Sequence, residues 1–229
     1  MSREIKFPLV AVNFKTYRES TGEYALHLAR MAEEVSVKTG VCIAVAPQLV
    51  DISKVVATVN NTPVFAQHLD PYDPGPYTGH VSIESVKQAG ATGSLVNHSE
   101  HMLKISEIDL IVRKMRNLGL NSLVCANTAQ VSAAVAALEP NIIAIEPPEL
   151  IGSGIPVSKA KPEIVTDTVS LIQKVKPNIP VLCGAGISKG EDASAAIRLG
   201  TKGVLVSSGV VKAQDPKQVL LDLARSVTI

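Results

Sequence analysis

Eight short apolar runs, each followed by a segment of helical or turn character, constrain this 229-residue chain more than any other feature. Several runs are apolar throughout instead of alternating with polar residues, which is typical of strands covered on both faces in a parallel sheet. Regular alternation of strand and helix predicts an α/β fold with such a sheet. The predicted strands are Leu9–Asn13, Val41–Ala46, Thr62–Gln67, Gly93–His98, Ser122–Ala126, Ile142–Glu146, Ile179–Gly184 and Gly203–Val206.

Eight such units in a chain of this length predict a closed (β/α)8 barrel, with residues 1–229 forming a single domain. A hydrophobic content of 46% suits one sizeable core. An open doubly wound sheet is the alternative architecture. Its dinucleotide-binding version has a G-x-G-x-x-G turn after the first strand, whereas the glycine-rich turn Gly184-Ala185-Gly186 follows the seventh strand here.

Capping residues and prolines predict where several helices begin and end. Tyr24–Lys38 has helical apolar spacing, and Ser106 opens a capping-box pattern for a helix that ends before Gly119. Proline at a first helical position is favourable, so Pro162 and the Asp215-Pro216 pair predict two further helix starts.

Charge and composition exclude several classes of protein. The formal net charge is +1 with no long run of one sign, so there is no footprint for nucleic acid or an acidic membrane surface. No apolar run approaches the roughly 18 residues that span a bilayer. The charged N-terminus leads into a strand instead of a signal peptide, so we expect a cytoplasmic protein. An odd number of widely spaced cysteines argues against a disulfide framework and a zinc site and favours small buried hydrophobes; these are Cys42, Cys125 and Cys183.

Polar residues stand where three of the apolar runs stop, which is where barrel enzymes collect their chemistry. Asn13 and Lys15 flank Phe14 at the end of the first run, and alternation places both on the same side of the chain. His98 ends the fourth run and could donate to a substrate carbonyl; the alternative is a core histidine bonded to backbone. Glu146 closes the sixth run, where a carboxylate is costly unless it is paired or used.

Glycine- and serine-rich turns after the last strands predict a phosphate site. Backbone N–H groups in Gly184-Ala185-Gly186 and Ser207-Ser208-Gly209 can approach an anion closely, and such a site recurs in this fold.

The segment Pro147–Gly154, stiff at one end and glycine-rich at the other, predicts a lid over the substrate. A proline-rich loop before Ser82 contains Pro71, Pro74, Gly75 and Pro76. This loop is either a subunit interface element or a stiffened surface loop.

Four motifs in this order resemble the triosephosphate isomerase family over the whole chain, and the shortness of the chain is similar to the archaeal type. Departures from the family's usual pattern include Ser207-Ser208 in place of two glycines, and His80 and His101-Met102 in segments that the resemblance implies would meet a partner subunit. The matching motifs are Asn13-Phe14-Lys15, His98-Ser99-Glu100, Ile145-Glu146-Pro147 with Ile151-Gly152-Ser153-Gly154, and Thr78-Gly79 with Ser82.

The resemblance implies interconversion of dihydroxyacetone phosphate and D-glyceraldehyde 3-phosphate through an enediolate, in glycolysis and gluconeogenesis. It implies that Glu146 moves the proton, that neutral His98 polarises the carbonyl, that Lys15 stabilises the negative charge, and that Asn13 orients the substrate. Glu100 would support Lys15 by pairing with it or by orienting it. No metal or organic cofactor is expected. The remaining substrate contacts would come from Phe14 and from the N–H groups of Ile151, Gly186, Ser207 and Ser208.

The same resemblance implies a homo-oligomer, with four subunits expected and two as the alternative. Two rival functions share the predicted phosphate site. One is another phosphate-using barrel enzyme, such as a lyase or synthase, and the other is a non-catalytic sensor of a phosphorylated ligand.

Overall fold

The computed structural model describes residues 3–147 and 161–228, and it contains the parallel barrel that the sequence predicts. The strand order around the sheet is β2-β1-β8-β7-β6-β5-β4-β3, all pairs parallel. A parallel bridge between Val45 and Val64 joins the two ends of this order and closes the barrel. The strands are β1 (Leu9–Asn13), β2 (Cys42–Ala46), β3 (Phe65–Ala66), β4 (Gly93–Val96), β5 (Asn121–Ala126), β6 (Ile142–Ile145), β7 (Val181–Cys183) and β8 (Gly203–Val206).

Predicted strand positions are confirmed: β1 and β8 have the expected bounds, β5 begins one residue earlier than predicted, and the other strands are shortened at one or both ends. The largest difference is β3, where the predicted run Thr62–Gln67 contains only two residues of regular strand. Pro63 has no N–H to give to a ladder, which limits regular pairing at its N-terminal end.

Helices cover the outside of the barrel. The predicted starts at Pro162 and Pro216 are confirmed, and Asp215 caps the last helix by accepting the Gln218 N–H at 3.0 Å. The described helices are α1 (Glu23–Thr39), α2 (Ile52–Thr58), α3 (Ile83–Gln88), α4 (Ile105–Asn117), α5 (Ala129–Ala136), α6 (Pro162–Val175), α7 (Gly190–Arg198), α8 (Ser208–Val211) and α9 (Pro216–Ser226).

The predicted capping box at Ser106 is wrong by two residues. Helix α4 already includes Ile105, and its N-cap residue is Lys104. The Glu107 carboxylate accepts the Lys104 N–H at 2.9 Å, so the acidic half of the motif lies one turn into the helix as it should. The N-cap residue is a lysine instead of the serine that this motif usually has, so the serine-based pattern placed the helix start two residues too late.

Strand alternation divides the apolar side chains between two cores. Inward-facing residues such as Leu9 and Leu123 fill the barrel, and outward-facing residues such as Val10 and Val124 pack under the helices. Because all strands run the same way, their carboxyl ends open on one face, where Asn13, His98 and Glu146 meet. Within the described residues, no helix is long and apolar enough to cross a membrane.

Candidate active site

The loop after β1 holds Lys15 in a strained backbone conformation. Its φ is 48°, in the left-handed region that non-glycine residues rarely adopt. Asn13 Oδ1 accepts the Lys15 N–H at 2.9 Å, and Gln67 Nε2 donates to the Lys15 carbonyl at 3.0 Å. Lys15 Nζ lies 2.8 Å from Glu100 Oε1, the pairing expected from the sequence. These contacts fix both the backbone and the ammonium of Lys15.

Phe14 is the residue of this segment that the structure places away from the cavity. Its side chain is buried in the core under the helices, while Asn13 and Lys15 line the cavity described below. Alternation along the chain therefore holds as expected. The predicted contact of Phe14 with substrate cannot come from its ring in this arrangement.

His98 is the second residue after β4, is 6% exposed, and has its hydrogen-bonding roles fixed by backbone. Its Nδ1 accepts the Glu100 N–H at 3.2 Å, so Nδ1 carries no proton. The remaining proton of a neutral imidazole is then on Nε2, which points toward Glu146. The ring can therefore act as a hydrogen-bond donor without carrying a charge.

Glu146 lies directly after β6, and its carboxylate faces His98 across the floor of the site. The distance from Glu146 Oε1 to His98 Nε2 is 3.5 Å, and both side chains are almost fully buried. Burial raises the pKa of this carboxyl, but the His98 and Cys125 hydrogen bonds and the Lys15 charge lower it by more, so its pKa lies below the ordinary value. Glu146 is thus an anion at neutral pH and can accept a proton.

A cavity of about 210 Å³ opens above these residues toward the loops after β7 and β8. Gly186 has a φ of 75° and follows Ala185 at 62°, so two successive left-handed residues turn the chain beside the cavity. Ser207 and Ser208, at the start of α8, also line this cavity. Three of the predicted phosphate-binding residues line this one cavity: Gly186, Ser207 and Ser208. The fourth, Ile151, lies outside the described residues, as does the predicted lid from Pro148 onward.

Sequence reasoning missed several residues of this site. Tyr17 and Ser188 line the cavity, and the thiol of Cys125 contacts Glu146. Cys125 is the next-to-last residue of β5, the strand that pairs with β6 just before Glu146, and this position was the signal that the sequence offered. In the described part of the chain, no group of three or more His, Cys, Asp or Glu side chains could hold a metal ion.

A second cavity, of about 840 Å³, adjoins the first and shares Asn13, Lys15, Tyr17 and His98 with it. We call it the lateral cavity. The start and end of the proline-rich loop line it, as do residues that follow β2 and β4. Those lining residues include Leu49, Val50, Asp70, Gly79, His80, Glu100 and His101.

Together, the barrel and a carboxylate–imidazole pair under a glycine- and serine-lined cavity define the class of this protein as a sugar-phosphate isomerase of the barrel type. Comparison with known proteins leads to the same class. A family model described as Triosephosphate isomerase matches residues 8–227. The chain belongs to the triosephosphate isomerase family, whose members interconvert dihydroxyacetone phosphate and glyceraldehyde 3-phosphate.

Similar proteins come from archaea and bacteria. The triosephosphate isomerase of Methanothermus fervidus is 55% identical over 216 residues, covering 94% of this chain and 97% of the relative. That of Methanocaldococcus jannaschii is 49% identical over 219 residues, covering 96% and 100%. A crystal structure of triosephosphate isomerase from Bartonella henselae has a TM-score of 0.76 at 20% identity over 97% of this chain and 99% of that one, which supports the fold.

Proposed function

We propose that Glu146 and His98 carry out the triose phosphate interconversion as base and electrophile. Glu146 takes a proton from the carbon next to the substrate carbonyl and returns it to the neighbouring carbon. His98 donates from Nε2 to the carbonyl oxygen as charge develops there. This division of labour is the one described for triosephosphate isomerases in general. The 3.5 Å distance between the two side chains is the observation that supports it most directly.

Lys15 and Asn13 would complete the reacting end of the site. The Lys15 ammonium belongs to a residue that lines the cavity, so it can stabilise the enediolate oxygen electrostatically. Asn13 fixes Lys15 and orients the carbonyl. The N–H groups of Gly186, Ser207, Ser208 and Ile151 would hold the phosphate, and a lid over it would keep water from the enediolate.

The test is a coupled assay of the purified protein with glyceraldehyde 3-phosphate, reading the formation of dihydroxyacetone phosphate. Glu146→Gln keeps the shape of the side chain and removes the base, so turnover should fall at least about 100-fold. Glu163→Gln, at an exposed residue of α6 that lines neither the active-site cavity nor the lateral cavity, makes the same chemical change and should leave turnover unchanged. Near-normal turnover in Glu146→Gln would remove this residue from its proposed role.

A homo-oligomer in the cytoplasm is the proposed setting, working in glycolysis and gluconeogenesis. The exposed proline-rich loop and the lateral cavity beside Lys15 support assembly, because a projecting loop and a large recess on one chain can fit together between two copies. Four subunits are proposed from the resemblance to the archaeal type, with two as the alternative.

A further inference from the structure

Lys212 places a positive charge one helical turn from the serines that line the active-site cavity. It is the residue directly after α8, whose first residue, Ser208, lines the cavity together with the preceding Ser207. Lys212 Nζ lies 4.2 Å from the ring centroid of Tyr17, and Tyr17 lines both the active-site cavity and the lateral cavity. A cation over an aromatic face at this distance is attracted to it. The Tyr17 ring therefore holds the Lys212 ammonium near the opening of the active-site cavity to solvent, which we call the mouth.

No carboxylate in the described part of the chain neutralises the charge of Lys212. Within residues 3–147 and 161–228, no carboxylate oxygen lies within 4.0 Å of its Nζ. Lys15, deeper in the site, is different because Glu100 lies 2.8 Å from its ammonium. The mouth therefore has a lysine whose field extends into solvent, above a lysine whose charge is largely balanced.

A substrate phosphate carries a charge of about −1.5 to −2 at pH 7, so it responds strongly to such a field. A local excess of one charge at a cleft raises the rate of association with an oppositely charged ligand, and salt screens the effect. Triosephosphate isomerases are among the enzymes whose kcat/KM reaches the diffusional ceiling, so the rate of capture limits them directly.

We propose that Lys212 is a substrate-capture residue, which draws the phosphate dianion toward the N–H donors of Gly186, Ser207 and Ser208 and is held at the mouth by the Tyr17 ring. The role differs from that of the donors because it acts through charge at a distance and makes no hydrogen bond to the bound phosphate. It rests on the proposed function only in taking this cavity as the phosphate site.

The experiment compares Lys212→Gln, Lys212→Arg and Lys217→Gln. Lys217 pairs with Glu34 of α1 at 2.5 Å, so its replacement gives the same change in net charge without touching the mouth. kcat and KM are measured from about 0.01 M to about 0.5 M ionic strength, over which the Debye length falls from about 30 Å to about 4 Å. Lys212→Gln should lower kcat/KM about 5-fold at low salt, with kcat unchanged, and the loss should shrink at high salt.

Lys212→Arg keeps the positive charge, so its kcat/KM should equal that of the parent protein. Lys217→Gln should also match the parent protein. A loss that is the same at every ionic strength would overturn the proposal, since it would indicate a packing role against Tyr17. An equal loss in Lys217→Gln, or none in Lys212→Gln, would overturn it as well.

Titration with inorganic phosphate by calorimetry separates this proposal from the proposed function. At low salt, Lys212→Gln should bind phosphate more weakly than the parent and Lys217→Gln should not. If triose phosphates are not turned over but phosphate binding changes in this way, the catalytic assignment fails and Lys212 stands. If turnover is normal and phosphate binding is the same in all three variants, Lys212 fails alone.

Discussion

At the scale of single residues, the charge state of Glu146 depends on its immediate neighbours. Burial pushes its pKa up, and the donors His98 and Cys125 with the Lys15 charge bring it below the ordinary value. The Cys125 thiol can act as a donor because burial, with the adjacent Glu146 charge, raises its own pKa well above the usual range and keeps it protonated. Cys125 is therefore one of the groups that keep Glu146 ready to accept a proton.

Replacement of Cys125 by alanine should raise the pKa of Glu146, because a donor to the carboxylate is lost. Glu146 works as a base only above its pKa, so the decline of kcat on the acid side should move to higher pH. The shift is measured from the pH profile of kcat at saturating substrate and from a carbon-13 NMR titration of the carboxyl group. Cys125→Ser keeps a donor and should stay close to the parent; equal profiles for the alanine and serine variants would contradict the assignment.

At the scale of elements, the loop after β7 and the end of β6 are packed too closely to admit another atom between them. The Gly184 N–H donates to the Ile145 carbonyl at 2.9 Å, so the two strands are joined directly below the glutamate. A Cβ on Gly184 would lie 2.5 Å from Glu146 Cγ and 3.0 Å from its Oε1. Gly184 thereby defines where the carboxylate can lie.

Gly184→Ala should displace Glu146 and lower kcat by about 100-fold, the cost expected for a misplacement of roughly 1 Å at a reacting group. The backbone at Gly184 is not in the left-handed region, so alanine itself is not strained there. Binding of inorganic phosphate should be retained, because the donors at Gly186, Ser207 and Ser208 are not displaced. A variant with normal kcat, or one that loses phosphate binding in parallel, would show that the close contact does not set the glutamate position.

Sequence patterns predicted the parts of the site that follow strands directly, and not the parts that depend on how loops fold back. Asn13, His98 and Glu146 each stand at the end of an apolar run, so strand order alone brings them to one face. Tyr17 and Lys212 lie in irregular segments far apart in sequence, and their contact is produced by the folded loops. Similarly, β3 was predicted too long because its limits were taken from apolar character alone, whereas Pro63 within the run has no N–H for strand pairing.

At the scale of the whole molecule, the proline-rich loop and the lateral cavity are the features that most suggest contact between copies. Tyr72 and Tyr77 stack at 4.4 Å, and His80 packs edge-on against Tyr72, so the loop is held in shape by its own rings. On the cavity side, His68 stacks on His101 at 3.7 Å beside the Lys15–Glu100 pair. A partner seated there would shield Lys15 and His98 from solvent on the side away from the phosphate.

Val50 tests this arrangement because it lines the lateral cavity with 75% of its surface exposed. Val50→Glu should shift the protein toward monomers in sedimentation velocity, because assembly would bury a carboxylate without a partner. Val37→Glu is the matched control. Val37 is 71% exposed near the end of α1 and does not line that cavity, so the same change there should leave the sedimentation coefficient as it is.

Activity should fall with dissociation at low protein concentration and recover at high concentration, since Lys15 and His98 both line the cavity that the partner would cover. Identical sedimentation of the two variants would mean that this cavity is not where the copies meet.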